Sequence, residues 1–224
     1  SLLACDLFLC STRKKTMRLF IAEKPSVAKA IAAELGNVTR AEGYLQCGAD
    51  RVTWCFGHIL EMAKPEHYGE QYAKWRAEDL PIIPQVWALL PKEDAKAQLA
   101  VIGRLLKDTT EVVNAGDPDR EGQLLVDEVL EHFKNRRDVK RFWVSAQDSV
   151  SIQRGLAALK SNKDYQGLKD AALARQRADW LIGMNFSRAY TLRAQRGGAQ
   201  KTVLTVGRVQ TPTLALVVAR DREI

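Results

Sequence analysis

The chain has 224 residues, 46% of them hydrophobic, and a net charge of +7. That length and apolar content suit a packed core of one or two domains. No apolar run approaches the roughly 20 residues of a membrane-spanning helix, so no membrane partner is expected. The charge is uneven: residues 1–150 hold 21 Lys and Arg against 22 Asp and Glu, whereas residues 151–224 hold 13 against 5. A near-neutral first part and a basic second part point to a polyanion, nucleic acid before membrane, although a merely soluble basic surface gives the same count. The four cysteines, Cys5, Cys10, Cys47 and Cys55, form no Cys-x-x-Cys pair, and the three histidines are scattered, so no zinc site is readable. A reducing cytoplasm fits this usage.

Residues 1–16 differ in character from the rest of the chain. A short apolar piece precedes Arg13-Lys14-Lys15, the reverse of a secretory signal, and Met17 reads as the natural start after a leader. Arg18 to Glu23 has the pattern of a short buried strand ending in a carboxylate. Val27 to Leu35 then has helical apolar spacing, with Ser26 as the expected N-cap and Gly36 as the stop. Glu23 is thereby placed in a βα turn at the carboxyl end of a strand, where open α/β sheets bind ligands; an exposed turn glutamate is the plain alternative. Strands are expected at Tyr44–Cys47 and Val52–Phe56, leading to Gly57-His58, whose imidazole reads more as a structural hydrogen-bonder than as a catalyst. Residues 64–92, with Pro81, Pro84 and Pro91, read as a long irregular excursion. Within it Trp75 stands between Lys74 and Arg76, suited either to a base or phosphate or to core packing.

Lys92 to Leu106 reads as a helix and Glu111 to Gly116 as a strand. The sequence then runs Asp117-Pro118-Asp119-Arg120-Glu121-Gly122. In an extended segment alternate side chains share a face, so Asp117, Asp119 and Glu121 are expected to converge. Three clustered carboxylates repel one another unless a cation sits among them, and an all-oxygen set with no His or Cys favours Mg²⁺. A solvated acidic turn punctuated by Pro118 is the alternative. Glu121 is expected to open a helix through Phe133, followed by a strand over Val139 to Val144. Through residue 146 the pattern is alternating α/β. Beyond Ser149 strands are expected to disappear. Helices are predicted over 151–160, over 165–194 (carrying Arg175, Trp180 and Arg188), and from Pro212 to the last residue.

Four stretches, taken in order, carry a resemblance: Met17-Arg-Leu-Phe-Ile-Ala-Glu-Lys-Pro-Ser26, Phe56-Gly-His-Ile59, Gly116-Asp-Pro-Asp-Arg-Glu-Gly122 and Val206-Gly-Arg-Val-Gln-Thr-Pro212. Together they resemble the type IA DNA topoisomerases, with most likeness to the bacterial topoisomerase III branch, over Met17 to Ile224. The resemblance implies a TOPRIM domain over residues 17–147, a Rossmann-like sheet flanked by helices. Residues 148–224 resemble the start of a mostly helical domain that binds single-stranded DNA.

It further implies that Glu23, Asp117 and Asp119 bind Mg²⁺ and that Glu121 completes the acidic motif. Glu23 would also handle the proton at the leaving sugar oxygen, and Lys24 would steady the scissile phosphate. Trp75, Arg175, Trp180, Arg188 and the loop Thr205, Val206, Gly207, Arg208, Val209 and Gln210 resemble DNA-contacting positions; Thr205 stands where a serine is expected. The activity implied is ATP-independent cutting and rejoining of one DNA strand, by a monomer with no nucleotide cofactor. The nucleophilic tyrosine of the family lies in a later segment, and none of Tyr44, Tyr68, Tyr72, Tyr165 or Tyr190 lies in a matching motif. Another TOPRIM enzyme (primase, small nuclease or recombination mediator) would share the acids but not Val206–Pro212. A non-catalytic DNA-binding remnant is the reading from a different class.

Overall fold

The computed structural model describes residues 17–198 and 202–223; the expected leader, residues 1–16, lies outside them. In chain order the elements are β1 (Arg18–Ala22), α1 (Pro25–Leu35), β2 (Val38–Ala41), β3 (Tyr44–Cys47), β4 (Asp50–Trp54), β5 (Leu60–Met62) and β6 (Leu89–Pro91). Then come α2 (Lys96–Asp108), β7 (Glu111–Ala115), α3 (Arg120–His132), β8 (Val139–Arg141), α4 (Ser149–Ala157), β9 (Lys160–Ser161), α5 (Gln166–Arg196) and α6 (Gln210–Glu223).

Among the described residues, seven strands make one sheet in the order β2-β3-β4-β1-β7-β8-β9. Its centre, β4-β1-β7-β8, is parallel, while β2-β3 on one side and β9 on the other pair antiparallel. β1 is the middle strand, and Leu19, Phe20, Ile21 and Ala22 are all fully buried. The period-two alternation sends Leu19 and Ile21, with Val112, against Leu99, Ile102 and Leu106 of α2 and Val126, Val129 and Leu130 of α3. Phe20 and Ala22, with Val113 and Ala115, face Ala28, Ile31 and Ala32 of α1 and Ile152 of α4. Both faces of the central strands are covered, as parallel strands require. The expected α/β sheet with flanking helices, followed by a helical segment, is what forms.

Several local expectations are corrected. α1 begins at Pro25 with Lys24 in the cap position and no side-chain cap, so Ser26 lies within the first turn rather than capping it. Strands persist beyond Ser149: β9 adds to β8, pairing Lys140 with Ser161 and Arg141 with Lys160. The excursion over 64–92 contains β6, paired with β5.

That excursion is held by α5. The Trp180 indole N–H donates to Ala63 O (2.9 Å), and its ring meets Tyr68 and Trp87 edge-on. Asn185 Oδ1 accepts from Ile82 N while its Nδ2 donates to Ile82 O. A segment with little regular structure of its own thus finds backbone partners on the long helix. No described helix is long and apolar enough to cross a membrane.

Candidate metal and nucleic-acid site

β1 and β7 run side by side with Ala22 opposite Ala115, so their carboxyl ends open at the same edge. Glu23 and Asp117 lie just beyond those ends. Although 94 residues apart, they touch: Asp117 N donates to Glu23 Oε2 at 3.3 Å. Lys24 joins them, its Nζ lying 2.6 Å from Asp117 Oδ2 and 3.3 Å from Glu23 Oε1. The hydrogen bond that Lys24 donates to Asp117 and the charge of Glu23 hold the Lys24 ammonium above its ordinary pKa. The Phe56-Gly-His58 loop is tied to the same strand end, with Gly57 N donating to Glu23 O.

The turn after β7 is compact. Gly116 N donates to Asn114 Oδ1 (3.0 Å), and Asp119 N donates to Asp117 O (2.8 Å). A side chain at position 116 would place its Cβ 2.1 Å from Gly122 O, so only glycine lets the turn close on the helix start. Asp119 is the N-cap of α3, its Oδ1 accepting from Gly122 N at 2.7 Å. The expected convergence of Asp117, Asp119 and Glu121 by strand alternation is therefore corrected. The segment bends instead of extending: Asp117 faces Glu23 and Lys24, Asp119 caps a helix, and Glu121 lies in its first turn. Glu121 Oε1 there faces Arg175 Nη1 (3.4 Å) and Arg120 Nε (3.7 Å). Among the described residues, no group of three or more His, Cys, Asp or Glu forms a ready metal ligand set. The chemistry of Glu23 and Asp117 fits a hard cation, since both present carboxylate oxygens to one point, the place the Lys24 ammonium takes here.

Sequence reasoning missed what shapes this turn. Arg141 is fully buried, and its guanidinium donates to the carbonyls of Asn114, Gly116, Asp117 and Phe142 at 2.7 to 3.2 Å. Its plane lies over Trp143 and Tyr165, and burial pushes its pKa down to about 10. Beside it Asp127 accepts from Gln123, Asn162 and Asn114, while burial raises its own pKa. The available signal was a charged residue inside a strand pattern and a Gln123–Asp127 pair on the inward face of α3.

A chain of alternating charges leads from α3 to the C-terminal loop. Arg175 bridges Glu121 and Asp179, and Arg208 Nε donates to Asp179 Oδ1 at 2.6 Å. That bond raises the Arg208 pKa. The loop is pinned to α5 by hydroxyls: Leu204 N donates to Thr191 Oγ1 and Val206 N to Ser187 Oγ, both at 2.9 Å. A groove of about 460 Å³ brings together Trp75, Arg188, Thr205, Val206 and Gln210, five of the expected DNA-contacting residues. Gly207, Arg208 and Val209 line a neighbouring cavity with Gln210.

Two of the expected DNA contacts are corrected. Trp180 is only 6% exposed and bound to Ala63, far too enclosed to stack on a base. Arg188, 4% exposed, donates to Tyr72 O and Glu66 and lies over the Trp75 ring. Its charge is already matched, and it supports the groove wall.

The family comparisons agree with this architecture. Residues 18–147 match the Toprim domain model, and the chain belongs to that family. Residues 163–224 match the model described as DNA topoisomerase, so the resemblance carried by the four motifs is shown. The DNA topoisomerase 3 of Vibrio cholerae is 52% identical over 213 residues, covering 92% of this chain and 33% of that protein. That of Salmonella typhimurium is 49% identical over 214 residues, covering 93% and 33%. The chain thus spans about a third of the length of the curated relatives it matches. The solved full-length topoisomerase I of Thermotoga maritima shares the fold, with a TM-score of 0.59 and 22% identity over 92% of this chain and 30% of that one.

Proposed function

We propose that this chain supplies the phosphate-handling half of a type IA DNA topoisomerase, an ATP-independent enzyme that cuts one DNA strand and rejoins it after strand passage. The observation that carries the reading is the meeting of Glu23, Lys24 and Asp117 at the carboxyl ends of β1 and β7. In this reading residues 17–147 form the catalytic Toprim domain and residues 148–224 begin the helical DNA-binding domain. The partner is single-stranded DNA, bound in the cytoplasm by a monomer without a nucleotide cofactor.

Glu23 and Asp117 would hold Mg²⁺, with Asp119, the cap of α3, as the third acid the resemblance implies. Bound there, the ion offsets negative charge building on a phosphoryl group. The protein's own residues do the rest. Lys24, half exposed, can turn its ammonium toward a phosphate oxygen. Glu23, with 16% of its side chain exposed, is placed to take or return a proton at a sugar oxygen. Glu121 anchors Arg175, which keeps the DNA-side helix in line with the acidic turn. Trp75, Thr205, Gln210 and Arg208 would line the path of the strand, with stacking and backbone contacts that tolerate any sequence. None of the tyrosines here is assigned as nucleophile; relaxation of supercoiled DNA or a covalent DNA adduct formed by this chain would contradict that.

Calorimetric Mg²⁺ titration of the wild type and of Asp117→Ala with Asp119→Ala tests the metal assignment. Equal weak binding by both removes it. Fluorescent single-stranded DNA should bind with steep salt dependence, and Arg208→Ala should weaken it several-fold; salt-independent binding would remove the DNA assignment.

A further inference from the structure

Arg175 and Asp179 stand one turn apart on the same face of α5. The Asp179 carboxylate is divided between two arginines. Its Oδ1 accepts from Arg208 Nε at 2.6 Å, and its Oδ2 lies 3.7 Å from Arg175 Nε. Arg175 reaches onward to Glu121 in the first turn of α3. Asp179 thus stands between the helix that follows the acidic turn and the loop that leads into α6.

The way Arg208 is held bears on what it can do next. The geometry that best matches a carboxylate to a guanidinium is the fork, two parallel hydrogen bonds. Asp179 instead takes Nε alone, and among the described residues neither terminal nitrogen of Arg208 has a partner. The arginine side chain remains 40% exposed and lines a cavity of about 730 Å³ with Asp179, Gly207, Val209 and Gln210. The edge formed by Nη1 and Nη2, which suits a phosphate in two parallel bonds, is left open. A free arginine gives up many rotamers on binding, whereas one already fixed through Nε has given them up beforehand.

We propose that Asp179 is a positioning residue: it holds Arg208 by Nε so that Nη1 and Nη2 meet a backbone phosphate of the bound strand. This rests on the reading of the Thr205–Gln210 loop as a DNA contact. The opposite role, a carboxylate that competes with the phosphate for Arg208, predicts effects of the opposite sign.

The test measures anisotropy of a fluorescein-labelled thymidine oligonucleotide at fixed low salt. Asp179→Ala raises the net positive charge of the chain, which by itself would tighten binding of a polyanion. Positioning reverses that sign: Asp179→Ala should weaken binding about 3-fold or more. In an Arg208→Ala background the same substitution should cause no further loss. Asp179→Asn, which keeps an acceptor oxygen for Nε, should recover part of the affinity. Tighter or equal binding by Asp179→Ala overturns the proposal while leaving the DNA reading intact. A wild-type chain that binds no oligonucleotide removes the DNA reading and the proposal with it. If Asp179→Ala fails to fold, the wild type decides by nitrogen-15 NMR: the Arg208 Nε–H signal should hold its position as oligonucleotide is added while the terminal NH₂ signals shift. An Nε–H shift of the same size would show the phosphate displacing Asp179, and would overturn the proposal.

Discussion

In β1, Leu19, Phe20, Ile21 and Ala22 are fully buried, whereas in α6 Leu214, Leu216, Val217 and Val218 are 38 to 73% exposed. The two regions draw on similar aliphatic residues to opposite effect. The sheet half closes two apolar layers around its central strand. The helical half adds Ile152 of α4 and strand β9 to that sheet and lays α5 along α3. In turn α5 holds the 64–92 excursion through single polar and aromatic contacts: Trp180 on Ala63, Asn185 on Ile82, Arg188 on Tyr72 and Glu66. The loop carrying Thr205 to Gln210 is held to α5 by the hydroxyls of Ser187 and Thr191 and by the Arg208–Asp179 pair. Apolar burial is therefore concentrated around β1, and the loop before α6 is held by polar contacts that open at smaller cost.

Substitutions graded across the boundary test that division. Phe20→Ala should destabilise the chain by about 3 to 5 kcal/mol in urea unfolding, the loss typical of a large side chain removed from a closed core. Arg141→Met should lose roughly 3 kcal/mol, because it strips donors from several carbonyls buried with it. Thr191→Val should lose only about 1 kcal/mol, with amide exchange accelerating at Leu204 before it does in β1. Leu216→Ala should stay within about 0.5 kcal/mol of wild type; a core-sized loss there would erase the contrast between the regions.

A smaller effect depends on pH. His58 Nδ1 lies 3.1 Å from Glu128 Oε2, and this hydrogen bond raises the histidine pKa above its ordinary 6.5 against the opposing effect of burial. The charged pair's contribution is then fully present below the unfolded-state value and is lost as pH rises through the folded one. Unfolding free energy should therefore fall as pH rises above the ordinary histidine value of 6.5 in wild type by more than in His58→Gln. Equal slopes in the two proteins would show the pair contributes nothing.

The sheet's centre was readable because Arg18–Ala22 and Glu111–Ala115 are dense apolar runs, each leading to a helix of clear period. β2 and β9 were not, because β2 is largely exposed and β9 has two residues, and pairing geometry rather than side-chain pattern makes them strands. The acids at the strand ends were legible from position alone. Their arrangement was not: whether Asp119 points at a ligand or caps a helix depends on a bend that Arg141 enforces from a later strand. Trp180 and Arg188 read as surface contacts because the partners that enclose them, Ala63, Tyr72 and Glu66, lie more than 100 residues earlier.

The ammonium of Lys24, lodged against both Glu23 and Asp117, sets the net charge of the turn. Two carboxylates alone would present about −2 to anything approaching; with the lysine between them the cluster presents about −1. A phosphate diester nearing this edge meets half the repulsion, and it does so beside a group on a flexible four-carbon stem that can swing toward it. The turn thus carries its own movable counterion.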